Sequence, residues 1–230
     1  MKTIAQEDYL KNIYKLSQRS GTAATCDLAE ILDVTPASVT NMLQKLAKTS
    51  PPLVNYQKHQ GATLTNEGEK VALRVIRRHR LIELFLVENL NYGWDEVHEE
   101  AELLEHAVTP EFVEKVSRLL GDPKQSPHGQ PIPTADLKVT RVDEQPLPTL
   151  SINQPATITR VRDEESKTLR YLAQHNLRPG TSIKIQKRLP DGTMHVLVQG
   201  VSHKPIQLKA SMAQQIFVNK PLEGAELPRE

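Results

Sequence analysis

The dipeptide Thr35-Pro36 constrains the fold more than any other point in this chain. A threonine able to cap a helix, followed by proline where a missing N–H costs nothing, starts a helix at a defined residue. That helix is expected over about 36–48. Upstream, residues 3–18 read as a helix, with Thr3 and Gln6 at capping-box spacing and Ile4, Tyr9, Ile13 and Leu16 supplying an apolar side. A polar GTAAT turn and a short helix over 26–32 come next. Downstream, β-prone runs at 53–57 and 62–65 flank Lys58-His59-Gln60-Gly61, a hairpin pattern. Two short helices, a capped third and a basic-tipped hairpin make a winged helix-turn-helix. The third helix would then present Thr35, Ala37, Ser38, Thr40, Asn41, Gln44 and Lys45, and the wing Lys58, to the base edges and phosphates of double-stranded DNA. An ordinary polar helix face has the same composition; the wing and the order of elements favour DNA.

The rest of the chain predicts a long helix over 66–90, then helices over 95–108 and 110–120, the last capped by Thr109 and stopped by Gly121. From 122 to 151 the sequence is rich in proline and polar residues (SPHGQPIP, EQPLPT) and reads as a linker. Alternating runs at 156–161, 181–187, 194–198 and 206–210, broken by Pro-Gly and Asp-Gly turns and with a short helix over 165–176, predict a small SH3-like β-barrel. The expected class is therefore mainly α with small β. The boundaries are 1–73 for the winged helix-turn-helix, 74–140 for a helical domain, 141–151 for a linker and 152–230 for the barrel.

Chemistry enters through charge placed where apolar residues belong. With His79 set at zero on a helical wheel, Ala72, Val75, Ile76, Ile82, Leu86 and Leu90 fall within about 60°, and Glu83 falls among them. A carboxylate in an apolar stripe requires a partner, either a metal ion or a buried arginine. On the next helix Val97, Ala101, Leu104 and Val108 form a stripe, while His98, Glu102, Glu105 and His106 share an arc of about 100° beside it. Taken alone this is also what a solvated acidic face looks like. Two successive helices offering carboxylates and imidazoles one turn apart is how helical folds build metal sites. Oxygen and nitrogen donors without sulfur suit manganese, iron(II) or zinc.

Other classes fare worse. The single cysteine, Cys26, excludes a disulfide framework and a thiolate cluster within one chain. The acids in MKTIAQEDYLKNIY argue against an export signal, and no run is long enough to span a membrane, so a cytoplasmic protein is expected. His98-Glu99 begins like a zinc-protease helix, but position 102 is glutamate where that motif needs histidine, and no nucleophile elbow or phosphate-binding glycine loop occurs. Neither an enzyme nor a small-molecule substrate is expected. A metal-buffering protein would leave the helix-turn-helix unexplained. The net charge of +1 is uninformative, but RVIRRHR at 74–80 is basic and DEVHEEAELLEH at 95–106 acidic.

EDYLKNIY at 7–14, DLAEILDVTPASVTNMLQKL at 27–46, RRHRLIELFL at 77–86, VHEEAELLEH at 97–106 and SPHGQPIP at 126–133 together resemble the diphtheria toxin repressor family of iron- and manganese-dependent transcriptional repressors, in its long form with an SH3-like domain. The resemblance implies a homodimer that binds a palindromic operator when loaded with metal and controls metal uptake genes. It implies an ancillary site of His79, Glu83 and His98 and a primary site of Asp8, Glu102, Glu105 and His106. It adds Asp8, whose position otherwise reads as an ordinary exposed acid. Iron-responsive members of the family carry methionine and cysteine at the positions of Asp8 and Glu102; acids there imply Mn(II), with Fe(II) the alternative. Lys11 departs from the short manganese-responsive members, which can place an acidic ligand there, and Glu164 or Glu165 is a candidate additional ligand of the ancillary site.

Overall fold

A computed structural model describes residues 3–162, 166–200 and 204–219. They fall into two compact units, one of Met1–His79, Leu103–Lys115 and Pro133–Val139, the other of Arg80–Glu102, Val116–Ile132 and Thr140–Glu230.

In the first unit, α1 (Ile4–Ser20) opens with the expected capping box, in which the Thr3 hydroxyl accepts from the Gln6 N–H and the Gln6 side chain accepts from the Thr3 N–H. After α2 (Thr25–Ile31), α3 (Pro36–Ala47) begins at Pro36, and Thr35 Oγ1 accepts the Ser38 N–H at 3.2 Å. Thr35→Ala leaves that donor without its cap, so a loss of about 1 kcal/mol is expected in denaturant unfolding, with Thr35→Ser close to wild type. Strands β1 (Val54–Gln57) and β2 (Gly61–Leu64) form the wing hairpin. Its base is pinned because Ala23 and Ala62 exchange both backbone hydrogen bonds, at 2.8 and 2.9 Å. That approach needs Gly61, where φ is +83° and a Cβ would stand 2.6 Å from the Ala23 carbonyl oxygen. Leu10, Ile13, Leu28, Val39, Leu43 and Leu46 fill the core. Ile4, expected on the apolar side, is instead 60% exposed, because α1 buries its stripe from Tyr9 onward.

Helices α4 (Asn66–Leu90), α5 (Val97–Leu104) and α6 (Pro110–Leu119) contribute residues to both units. Helix α5 is shorter than the expected 95–108. Beyond Leu104 the chain turns, with the Ala107 and Val108 N–H groups both donating to the Leu104 carbonyl, and Glu105 and His106 face tertiary partners instead of continuing a helix face.

The second unit contains an antiparallel sheet ordered β3-β8-β4-β5-β6-β7. Its elements are β3 (Glu144–Pro146), β4 (Pro155–Val161), α7 (Ser166–Gln174), β5 (Ser182–Arg188), β6 (Met194–Val198), β7 (Ile206–Leu208), α8 (Ala210–Ala213) and β8 (Ile216–Asn219). Register shifts at Ile158/Arg160 and Ile185/Lys187 bend the strands as an SH3-like barrel requires. Leu147, Ile158, Val161, Leu169, Ile183, Val196, Leu208 and Val218 lie in the core, and Trp94 packs with them.

The proline-rich stretch read as a linker is largely ordered. Ser126, His128, Gln130 and Ile132 are buried, and the His128 carbonyl accepts from the Val161 N–H at 2.9 Å. A Cβ on Gly129 would lie 2.1 Å from the Thr159 carbonyl oxygen. Part of the expected linker is barrel: β3 pairs with β8, and Leu147 and Leu150 are fully enclosed. Proline removes a donor but leaves a carbonyl, and here those carbonyls are used. Pro127 accepts from the Trp94 indole at 2.9 Å, and Pro131 accepts from Arg80.

Candidate metal centre

Four of the seven metal-ligating candidates lie in the first unit. Glu105 is their hub, fully enclosed just beyond α5. Its Oε2 accepts from His79 Nδ1 at 2.7 Å, and its Oε1 lies 2.6 Å from Lys11 Nζ and 3.1 Å from His106 Nε2. The two ring nitrogens of His106 each face a carboxylate at 2.9 Å, Nδ1 against Glu7 Oε2 and Nε2 against Asp8 Oδ1. Arg78 reaches the same Glu7 oxygen at 2.7 Å. Asp8, Glu105 and His106 each offer a ligand atom, and these atoms lie within 4.8 Å of one another. Two of the three residues follow α5 while Asp8 belongs to α1, so the cluster joins the first helix of the helix-turn-helix to the 103–108 turn.

The electrostatics follow the geometry. Burial pushes the Glu105 carboxyl up, but the His79 hydrogen bond and charge, then Lys11, outweigh it and leave it at about 2. Burial dominates at Asp8 and raises it, against the pull of Lys11 and His106.

The remaining three candidates lie in the second unit. Glu83, on α4, is fully enclosed, as the apolar stripe around it requires. Its Oε1 stands 3.3 Å from His98 Nδ1 and 3.7 Å from His128 Nδ1. His128 Nε2–H donates to the Trp94 carbonyl at 2.8 Å, which leaves Nδ1 directed at the carboxylate. Glu102 is half-buried, 3.7 Å from His98 Nε2. Glu164 and Glu165 lie outside the described residues.

Both clusters suit a divalent cation in donor type. Each sets carboxylate oxygen against imidazole nitrogen around one fully buried carboxylate, Glu105 in the first and Glu83 in the second, and a cation between such groups satisfies both. Sequence reasoning missed Glu7 and His128. Glu7 had no signal beyond adjacency to Asp8, and His128 sits in a segment whose composition reads as loop.

On the nucleic-acid side, Thr35, Ala37, Ser38, Asn41, Gln44, Lys45 and Lys58 are exposed, and Thr40 is half-buried with its hydroxyl donating to the Pro36 carbonyl at 3.0 Å. The Thr35 and Ser38 hydroxyls are hydrogen-bonded to each other at 3.0 Å.

A winged helix-turn-helix whose first helix carries part of a carboxylate–imidazole cluster defines a class, the metal-responsive DNA-binding regulators. Comparison with known proteins narrows it. Residues 1–62 match the iron dependent repressor N-terminal DNA-binding domain, 65–134 the iron dependent repressor metal-binding and dimerisation domain, and 145–220 the FeoA domain. The chain belongs to the iron-dependent repressor family. It is 35% identical over 127 residues to the HTH-type transcriptional regulator MntR of Lysinibacillus sphaericus, covering 55% of this chain and 89% of that protein. It is 26% identical over 226 residues to the iron-dependent repressor IdeR of Mycobacterium leprae, covering 93% and 96%. A solved manganese-dependent transcriptional repressor in complex with manganese superposes with a TM-score of 0.87 at 34% identity, over 94% of this chain and all of that one (100%). The family consists of transcriptional repressors rather than enzymes. Among the described residues no helix is long and apolar enough to cross a membrane.

Proposed function

We propose that this chain is a Mn(II)-dependent transcriptional repressor that acts in the cytoplasm as a homodimer on palindromic operator DNA and controls metal uptake genes. The observation that carries the reading is the Asp8–Glu105–His106 cluster, built on the fully buried Glu105, which belongs at once to α1 and to the turn after α5. Asp8, Glu102, Glu105 and His106 would hold the primary ion, and His79, Glu83 and His98 the ancillary one. A divalent ion supplies the positive charge that lets several carboxylates share one small space. Asp8 then fixes α1 against the 103–108 turn, and α1 packs through Leu10 and Ile13 on the helix-turn-helix core, so the carriage of α3 depends on the cluster. Helix α3 and Lys58 of the wing meet the DNA, with Lys45 and Lys58 on phosphates and Asn41 and Gln44 able to reach base edges.

The same cluster in an iron(II)-dependent repressor is the second reading, favoured by the whole-length similarity to IdeR. The donor set argues for the harder choice, because Asp8 and Glu102 offer oxygen only. The test measures operator binding with matched free Mn(II), Fe(II) and Zn(II), with and without a chelator. Tight binding with Mn(II) that the chelator abolishes is expected; binding indifferent to chelator would end the metal-switch reading. An Asp8→Met, Glu102→Cys double variant is expected to move the activating preference from Mn(II) toward Fe(II) by about tenfold or more. An unchanged ranking of the metals would remove these two positions from metal selection.

A further inference from the structure

Lys11 occupies the primary cluster as a cation, with no lone pair to offer a metal while it stays an ammonium. Its side chain is 2% exposed, and its ammonium lies 2.6 Å from Glu105 Oε1 and 4.0 Å from Asp8 Oδ1. Both carboxylates belong to the proposed metal-binding set. A lysine on a helix normally keeps its head in water, since burying an ammonium is costly unless a carboxylate meets it closely. Here the helix face that buries Leu10 and Ile13 carries Lys11 inward as well, against a carboxylate with no exposure of its own. Glu105 Oε1 is shared between Lys11 and His106, so a cation held by Glu105 and His106 would compete with the ammonium for that oxygen.

We infer that Lys11 is the resident cation of the primary site: it neutralises Glu105 while no divalent ion is bound and must leave that oxygen when one is. The inference rests on the reading of Asp8, Glu105 and His106 as metal ligands. Two consequences follow from charge alone. Lys11 weakens metal binding, because an ammonium a few ångströms from a divalent ion repels it and its contact with Glu105 must first be broken. Lys11 also holds α1 to the 103–108 turn in the metal-free protein, doing with one charge part of what the metal does with two. The residue therefore sets the free-metal concentration at which the switch responds. Its long flexible stem suits it to the task, since the head can withdraw while the helix stays in place.

The test compares the full-length wild type with Lys11→Met, Lys11→Gln and Lys11→Arg. Mn(II) affinity is read by competition against a fluorescent chelator, and metal-free thermal stability by circular dichroism. Lys11→Met and Lys11→Gln are expected to bind Mn(II) about tenfold or more tightly than wild type, while their metal-free Tm falls and the rise in Tm on adding Mn(II) grows. Lys11→Arg keeps the charge and is expected to stay near wild type in affinity. Two uncharged variants guard against one failing to fold. Affinity unchanged or weakened in a folded uncharged variant overturns the inference. His106→Ala separates this failure from that of the underlying reading. If wild type and His106→Ala bind Mn(II) alike, the primary site itself is wrong and the role of Lys11 falls with it. If His106→Ala loses Mn(II) and Lys11→Met gains nothing, only the role of Lys11 is refuted.

Discussion

Replacing Glu105 with alanine is expected to cost about 3–5 kcal/mol of stability in the metal-free protein and to abolish metal-dependent operator binding. The substitution leaves Lys11 and His79 enclosed beside each other with no carboxylate between them, and removes the oxygen that His106 approaches. For a chain of this length such a loss lowers Tm by roughly 6–20 °C. Glu105→Gln separates shape from charge: it keeps a carbonyl acceptor for one neighbour and removes the negative charge. It also tests the titration. The carboxyl is held at about 2 against an ordinary value of 4.5, so the charge stabilises the folded state fully above pH 4.5, and the benefit disappears as pH falls from there toward 2. The gap in Tm between wild type and Glu105→Gln, measured without metal, should therefore be constant just above that window and close within it. A gap as large at pH 3 as at pH 6 would show that the ionised carboxylate is not what stabilises the cluster.

Operator affinity of the metal-loaded protein is expected to fall about 10³- to 10⁵-fold between roughly 50 and 200 mM salt, the range for a protein that neutralises about six to ten phosphates. Two copies of an exposed recognition helix and wing bearing Lys45 and Lys58 supply four of those contacts. Lys45→Ala and Lys58→Ala should each weaken binding to all sequences alike and flatten the log–log slope by about two per dimer. Asn41→Ala should instead erode discrimination between operators with little change in slope. A slope near zero for wild type would dissociate α3 and the wing from DNA.

The parts of the fold visible in the sequence are those with local causes. Thr3 with Gln6, and Thr35 with Pro36, set helix starts through chemistry confined to one turn, and both starts lie where that chemistry puts them. Strands β3 and β8 carry too little alternation of their own to announce themselves. Strand β3 pairs with β8 across about 70 intervening residues, and β8 pairs with both β3 and β4, so partners distant in sequence define them. The 126–133 segment misled because composition records proline and glycine but not whether carbonyls find donors. The site divides in the same way. His79 and Glu83 stand out because charge interrupts an apolar stripe on one helix, a pattern contained in the helix itself. Asp8 and Glu7 lie on the side of α1 whose partners come from residues almost a hundred positions away, so nothing in α1 marks them. Lys11 is the extreme case, since a lysine between polar neighbours reads as solvated until its enclosure is seen.

The position of β8 between β3 and β4 bears on how the protein is made. Every core residue of the helix-turn-helix lies within the first 72 positions, so that part can complete its interior while the ribosome is still adding the rest. The barrel cannot, because the strand that fills its gap is synthesised after both of its neighbours. Until Ile216 to Asn219 emerge, β3 and β4 expose the edges that β8 will later cover. A nascent chain stalled before that point would carry a finished DNA-reading head and an open, adhesive sheet. Selection against aggregation during translation should therefore act on the barrel rather than on the DNA-reading head.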